Sequence, residues 1–83
     1  MPEHRQGIIL FFTTSAALRA ERHLSGAGFK TKLVPTPREL SSDCGFALRF
    51  MVAAETSATA EEVEKLLTRS GIEFDAVHFP YPK

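Results

Sequence analysis

Residues 7–15 read Gly-Ile-Ile-Leu-Phe-Phe-Thr-Thr-Ser, and the change of character at Thr13 decides the fold. Gly7 to Phe12 is apolar at both alternating sets of positions and rich in Ile and Phe, which predicts a central strand covered on both faces. Thr13, Thr14 and Ser15 each carry a hydroxyl able to accept from the free N–H groups of a helix start. Ala17, Ala20, Leu24 and Ala27 then recur at helical spacing, and Gly26 and Gly28 supply a stop. A strand that feeds directly into a helix is the first half of a crossover unit, whose next strand runs parallel to the first.

That next strand is legible. Phe29, Thr31 and Leu33 alternate with Lys30 and Lys32 up to Pro35, and Phe46, Leu48, Phe50 and Val52 alternate with Ala47, Arg49 and Met51. After a polar Ala/Glu/Thr/Ser connector, Thr59-x-x-Glu62 forms a capping box that opens a second helix with Ala60, Val63, Leu66 and Leu67 on its apolar face. Gly71 ends it, and Ile72, Phe74 and Ala76 alternate with Glu73, Asp75 and Val77 as a last strand. The order β-α-β-β-α-β predicts an α+β, ferredoxin-like sandwich: a four-stranded antiparallel sheet in the order 4-1-3-2 with both helices on one face. The 83 residues suit one domain spanning 1–83, with an ordered core of about 7–79 and short flexible termini.

Charge and cysteine content narrow the function. Ten Lys+Arg balance ten Asp+Glu without a run of like sign, so no nucleic-acid partner is expected. The longest apolar run, Gly7 to Phe12, falls far short of the roughly 20 residues that span a bilayer, and it is short for a signal peptide, so no membrane partner is expected. A single cysteine cannot form an internal disulfide, which suits a reducing, cytoplasmic location. His4, His23 and His78 are scattered without metal-ligand spacing, so neither metal nor cofactor is expected. His23 reads as a helix-surface residue and His78 as a strand-end residue, both remote from the cysteine. A stand-alone enzyme is therefore less expected than a carrier or accessory protein.

The chemistry gathers between the second and third strands, where Pro35-Thr-Pro-Arg-Glu-Leu-Ser-Ser-Asp-Cys-Gly45 holds the only cysteine. In the expected topology this loop shares one rim with Thr13, Thr14 and Ser15. Cations and a helix N-terminus activate a thiol, so Arg38 and the first helix favour the thiolate of Cys44, whereas Asp43 opposes it. Ser41 and Ser42 can make local turns, and Gly45 admits backbone conformations closed to other residues. The alternative stands beside this: an unpaired Cys is among the most buried residue types, and Cys44 precedes an apolar strand. Likewise Arg38 could be a solvated arginine, and Thr13 and Thr14 plain helix caps.

Several short runs together resemble one family. They are Phe12-Thr13-Thr14 with Ala17-Leu18 and Glu21, then Val34-Pro35-Thr36-Pro37-Arg38-Glu39, Ser41-Ser42, Cys44-Gly45 and Leu48-Arg49-Phe50. These resemble the small bacterial domains of the putative selenium/sulfur carrier protein-like family, from the first strand to the last. The resemblance implies that Cys44 carries sulfur or selenium as a persulfide-type adduct, with Arg38, Ser41, Ser42, Asp43, Gly45, Thr13 and Thr14 around it. Its implied partners are donor and acceptor enzymes of sulfur or selenium transfer. The alternative is a non-catalytic interaction or small-ligand regulatory module of the same fold, or an accessory subunit of a redox enzyme. On the helix-free sheet face, Lys30, Lys32 and Arg49 are expected toward one edge and Glu73 and Asp75 toward the other. Apolar first-strand residues between them would let the face mate with a second copy, giving a homodimer.

Overall fold

The computed structural model describes residues 4–40, 45–53 and 59–81. Its elements are β1 (His4–Leu10), α1 (Thr14–Gly26), β2 (Lys30–Pro35), β3 (Phe46–Ala53), α2 (Ala60–Arg69) and β4 (Ala76–His78). β3 pairs antiparallel with β1 and β2, and β4 pairs antiparallel with β1, so the sheet runs β2-β3-β1-β4. Read from the other edge this is the expected 4-1-3-2 order, and the fold is the expected ferredoxin-like α+β sandwich. The polar connector at residues 54–58 lies outside the described residues.

Local chemistry sets each helix. Thr13 caps α1, its Oγ1 accepting from the Ala16 N–H at 3.1 Å, and Thr59 caps α2 by accepting from the Glu62 N–H at 3.2 Å. Both helices end in a glycine at positive φ, Gly28 at 98° and Gly71 at 73°. The chain then turns so that Phe29 N–H reaches Leu24 O and Ile72 N–H reaches Leu67 O, which satisfies carbonyls left open by the helix end. Three small residues on the buried side of α1, Ala16, Ala17 and Ala20, let it lie close to the sheet beside Leu24. Ile9, Leu48, Phe50 and Val52 from the sheet meet Ala17, Ala20 and Leu24 of α1 and Val63 and Leu67 of α2 in one core.

β1 begins and ends earlier than the apolar run. His4, Arg5 and Gln6 pair with Ala53, Val52 and Met51, so the partner strand and not hydrophobicity sets its start. Phe11 leaves the ladder yet stays fully buried. β4 is shorter than expected, 76–78 in place of 72–77. Its register sets Leu10 against Ala76, so residues 72–74 would run opposite 12–14, where the chain has already turned into α1. Ile72 instead spends its N–H on the end of α2 and buries its side chain in the core. Glu73 and Asp75 accordingly precede the strand and do not flank it.

The helix-free face also departs from expectation. Lys30, Lys32 and Arg49 are exposed toward the β2 edge as expected, but Ile8 and Leu10 are only 2% and 3% exposed. They lie with Ala47 beneath Val34, Leu40, Ala76 and Tyr81, so the apolar strip is covered by the chain itself.

Candidate functional site

The cover over that face is also the anchor of the motif loop. Thr36 N–H donates to Gly45 O at 3.1 Å and closes the loop at its base, continuing the β2–β3 ladder one step past the Pro35–Phe46 pair. Pro37 starts a turn that ends with Leu40 N–H donating back to Pro37 O at 3.0 Å. That turn presents Arg38 and Glu39 to solvent and folds Leu40 onto Ile8, Leu10 and Ala47.

Tyr81 fastens the same turn from the other end of the chain. Its N–H donates to Gln6 O at 2.7 Å beside β1, its ring lies 6.3 Å from that of His78, and its hydroxyl donates to Glu39 Oε2. The bond holds the Glu39 carboxyl below its ordinary range, because the carboxylate accepts the Tyr81 hydroxyl. It raises the Tyr81 hydroxyl for the converse reason: ionisation would discard the hydrogen bond and set a second negative charge beside Glu39. The motif loop thus rests on an apolar contact and a hydrogen bond to a residue 42 positions away.

The predicted site residues fall into three groups. Ser41, Ser42, Asp43 and Cys44 lie outside the described residues. Thr13, Thr14 and Gly45 share one rim, since the β1–β3 ladder closes at Leu10–Ala47 just before α1 begins. There Thr13 acts as the helix cap, its Oγ1 and carbonyl engaged by the N–H groups of Ala16 and Ala17. Thr14 is the exposed first residue of α1. Arg38 is exposed on a turn seated on the helix-free face, while α1 packs on the opposite one. Gly45 needs no special backbone: its φ is not in the left-handed region and, among the described residues, a Cβ there would meet nothing within 4 Å. The expectation of a conformation closed to other residues is therefore corrected.

Sequence reading missed Glu39, Leu40 and Tyr81 as structural supports of the loop. The one available signal was the sole tyrosine, set between two prolines at the C-terminal end. Among the described residues no cluster of three or more His, Cys, Asp or Glu could hold a metal, and no helix is long and apolar enough to cross a membrane.

Fold and loop together define a split βαβ domain whose polar Pro-Thr-Pro-Arg-Glu turn is pinned to the helix-free face, with Gly45 at the rim where α1 begins. The chain belongs to the putative Se/S carrier protein-like family, whose model matches residues 6–79. No curated protein and no solved structure was found to match it.

Proposed function

We propose that the protein is a sulfur or selenium carrier of the cytoplasm that holds the transferred atom on Cys44. Membership of the family over residues 6–79 carries this reading. The anchoring of the loop on both sides of the cysteine supports it, because a carrier must present its thiol in a fixed place to more than one enzyme. Loading moves one sulfane sulfur without net oxidation. The Cys44 thiolate attacks the outer sulfur of a donor persulfide, a new S–S bond forms on Cys44, the donor S–S bond breaks, and the donor cysteine leaves as thiolate with the electron pair. The proton given up by Cys44 is taken by that leaving group, and selenium follows the same course.

Arg38, Ser41 and Ser42 are the donors for the resulting anion from the loop, and Thr14 with the positive end of α1 those from the rim where Gly45 rejoins the sheet. A homodimer across the helix-free face would bury Tyr81, Leu40 and the charged flanks, since Ile8 and Leu10 are already covered, and its mass in light scattering tests it.

Intact-mass analysis after incubation with a cysteine desulfurase and L-cysteine tests the carrier reading. The native chain should gain one sulfur and Cys44→Ala none. A native chain that gains no sulfur contradicts it and favours the rival reading of a non-catalytic interaction module.

A further inference from the structure

We infer that the open part of the helix-free face, where Lys30, Lys32 and Arg49 stand together, is the docking surface for an acidic segment of the enzyme that delivers sulfur. This deepens the carrier reading and rests on it. Side chains alternate across a pleated sheet, so the register fixes which residues share the face of Ile8. Arg49 is paired with Ile8 on one side and with Lys32 on the other, and the next row holds Gln6, Met51 and Lys30. Lys30, Lys32 and Arg49 are exposed, and Gln6 and Met51 are half-buried. In the other direction the row of Val34, Ala47 and Leu10 is packed against Leu40 and Tyr81, and the covering turn carries the exposed Arg38. The face is thus roofed by the chain over one half, and its open half is cationic.

Among the described residues nothing answers that charge. The four strands carry no Asp or Glu. No carboxylate of the described residues pairs with Lys30, Lys32 or Arg49, and Glu39, the acid of the covering turn, accepts from Tyr81. Lys32 and Arg49 stand directly opposite, their Cβ atoms about 4.5–5.5 Å apart, and Lys30 follows about 7 Å along β2. Like charges directly opposite destabilise a sheet, and a partner's carboxylate set between them replaces repulsion with attraction. The open half presents no aromatic side chain, so it lacks the stacking platform on which single-stranded RNA binds, and an acidic protein segment is the occupant that fits. Arg49 is four residues, about 13 Å, along β3 from Gly45, so a protein seated here reaches the motif loop.

The test compares two sulfur sources on the same protein: a purified cysteine desulfurase with L-cysteine, and glutathione persulfide, which needs no docking and departs as glutathione thiolate. Loading is followed by intact mass for the native chain, Lys32→Glu and Arg49→Glu. Arg22→Glu and Lys65→Glu are the controls, making the same charge change at exposed positions of α1 and α2. Lys32→Glu and Arg49→Glu each set opposite charges across the ladder, so neither should melt below the native chain. Each should lose about tenfold or more in loading rate from the desulfurase and keep the native rate from glutathione persulfide, while the controls keep both rates. Added salt should slow native loading from the enzyme alone. Face variants that load from the desulfurase at the native rate, or controls that lose as much, overturn the docking surface and leave the carrier reading standing. A native chain that loads from glutathione persulfide but not from the desulfurase overturns the surface too. Binding of labelled single-stranded RNA that the face variants abolish, with enzyme loading unchanged, gives the face to nucleic acid; a native dimer in light scattering that they dissolve, again with loading unchanged, gives it to a second copy. Either overturns the inference. A native chain that loads from neither source overturns the carrier reading, and the surface with it.

Discussion

Gly7 is the position where a one-carbon change tests the packing most sharply, because two general effects there have opposite sign. Glycine in a strand interior is ordinarily worse than alanine by about 0.5–1 kcal/mol, so Gly7→Ala should stabilise an uncrowded strand. Here an added Cβ would lie 2.7 Å from Phe50 Cε1 and 2.8 Å from Phe79 Cδ1, with Phe50 Cζ closer still. Neither ring can easily give way. Phe50 is fully buried and packs edge-on against Phe29 at 5.9 Å and tilted against Phe79 at 5.1 Å, and the Arg5 guanidinium lies 5.2 Å over the Phe79 ring. Overpacking of this kind costs about 1–3 kcal/mol, which at its midpoint outweighs the gain and leaves a net loss of up to roughly 2.5 kcal/mol. For a domain of this size that lowers the melting temperature by about 4–8 °C per kcal/mol. Gly26→Ala is the control, since nothing lies within 4 Å of its Cβ and it ends a helix, so it should gain up to about 1 kcal/mol. Urea and thermal unfolding read both. A Gly7→Ala protein as stable as native would refute the placement of the Phe50 and Phe79 rings over β1.

Tyr81→Phe removes the hydroxyl bonded to Glu39 and should leave a pH-dependent stability difference from native. The Glu39 carboxyl is lowered from 4.5, so its contribution is present above that value and fades as pH falls through the folded-state value. Tyr81 is raised from 10.0, so its contribution is present below that value and fades as pH rises through the folded-state value. The difference in urea midpoint should therefore hold at neutral pH and shrink at both extremes; a difference that is flat with pH contradicts the bond. Leu40→Ala uncovers Ile8 and Leu10 and should cost about 1–2 kcal/mol, below the range for fully buried leucines because Leu40 is half-buried. It should also speed alkylation of Cys44, and an unchanged labelling rate would show that the turn does not hold the cysteine's segment.

The β-α-β-β-α-β order was legible because its signals are local: Thr13 and Thr59 cap helices, glycines end them, and β2 and β3 alternate. The ends of β1 and β4 were not, because they depend on register with a partner strand. His4 to Gln6 are polar yet pair with β3, while Ile72 to Phe74 alternate yet have no strand opposite them. The covering of Ile8 and Leu10 was hidden for the same reason, since Leu40 and Tyr81 reach them from distant parts of the chain. At the site, chain order and crossover handedness sufficed to bring Thr13 and Gly45 to one rim. The hold of Tyr81 on Glu39 spans 42 residues, and no local pattern announces it.

The central claim, that Cys44 accepts and releases a sulfane sulfur, is met most directly by loading the protein and then discharging it. Protein treated with a cysteine desulfurase and L-cysteine is freed of both, weighed intact, exposed to cyanide and weighed again. The account predicts one added sulfur on the native chain, its conversion by cyanide to one thiocyanate per loaded chain with return to the starting mass, and neither event in Cys44→Ala. A native chain that stays at its starting mass, or a Cys44→Ala chain that loads equally, contradicts it.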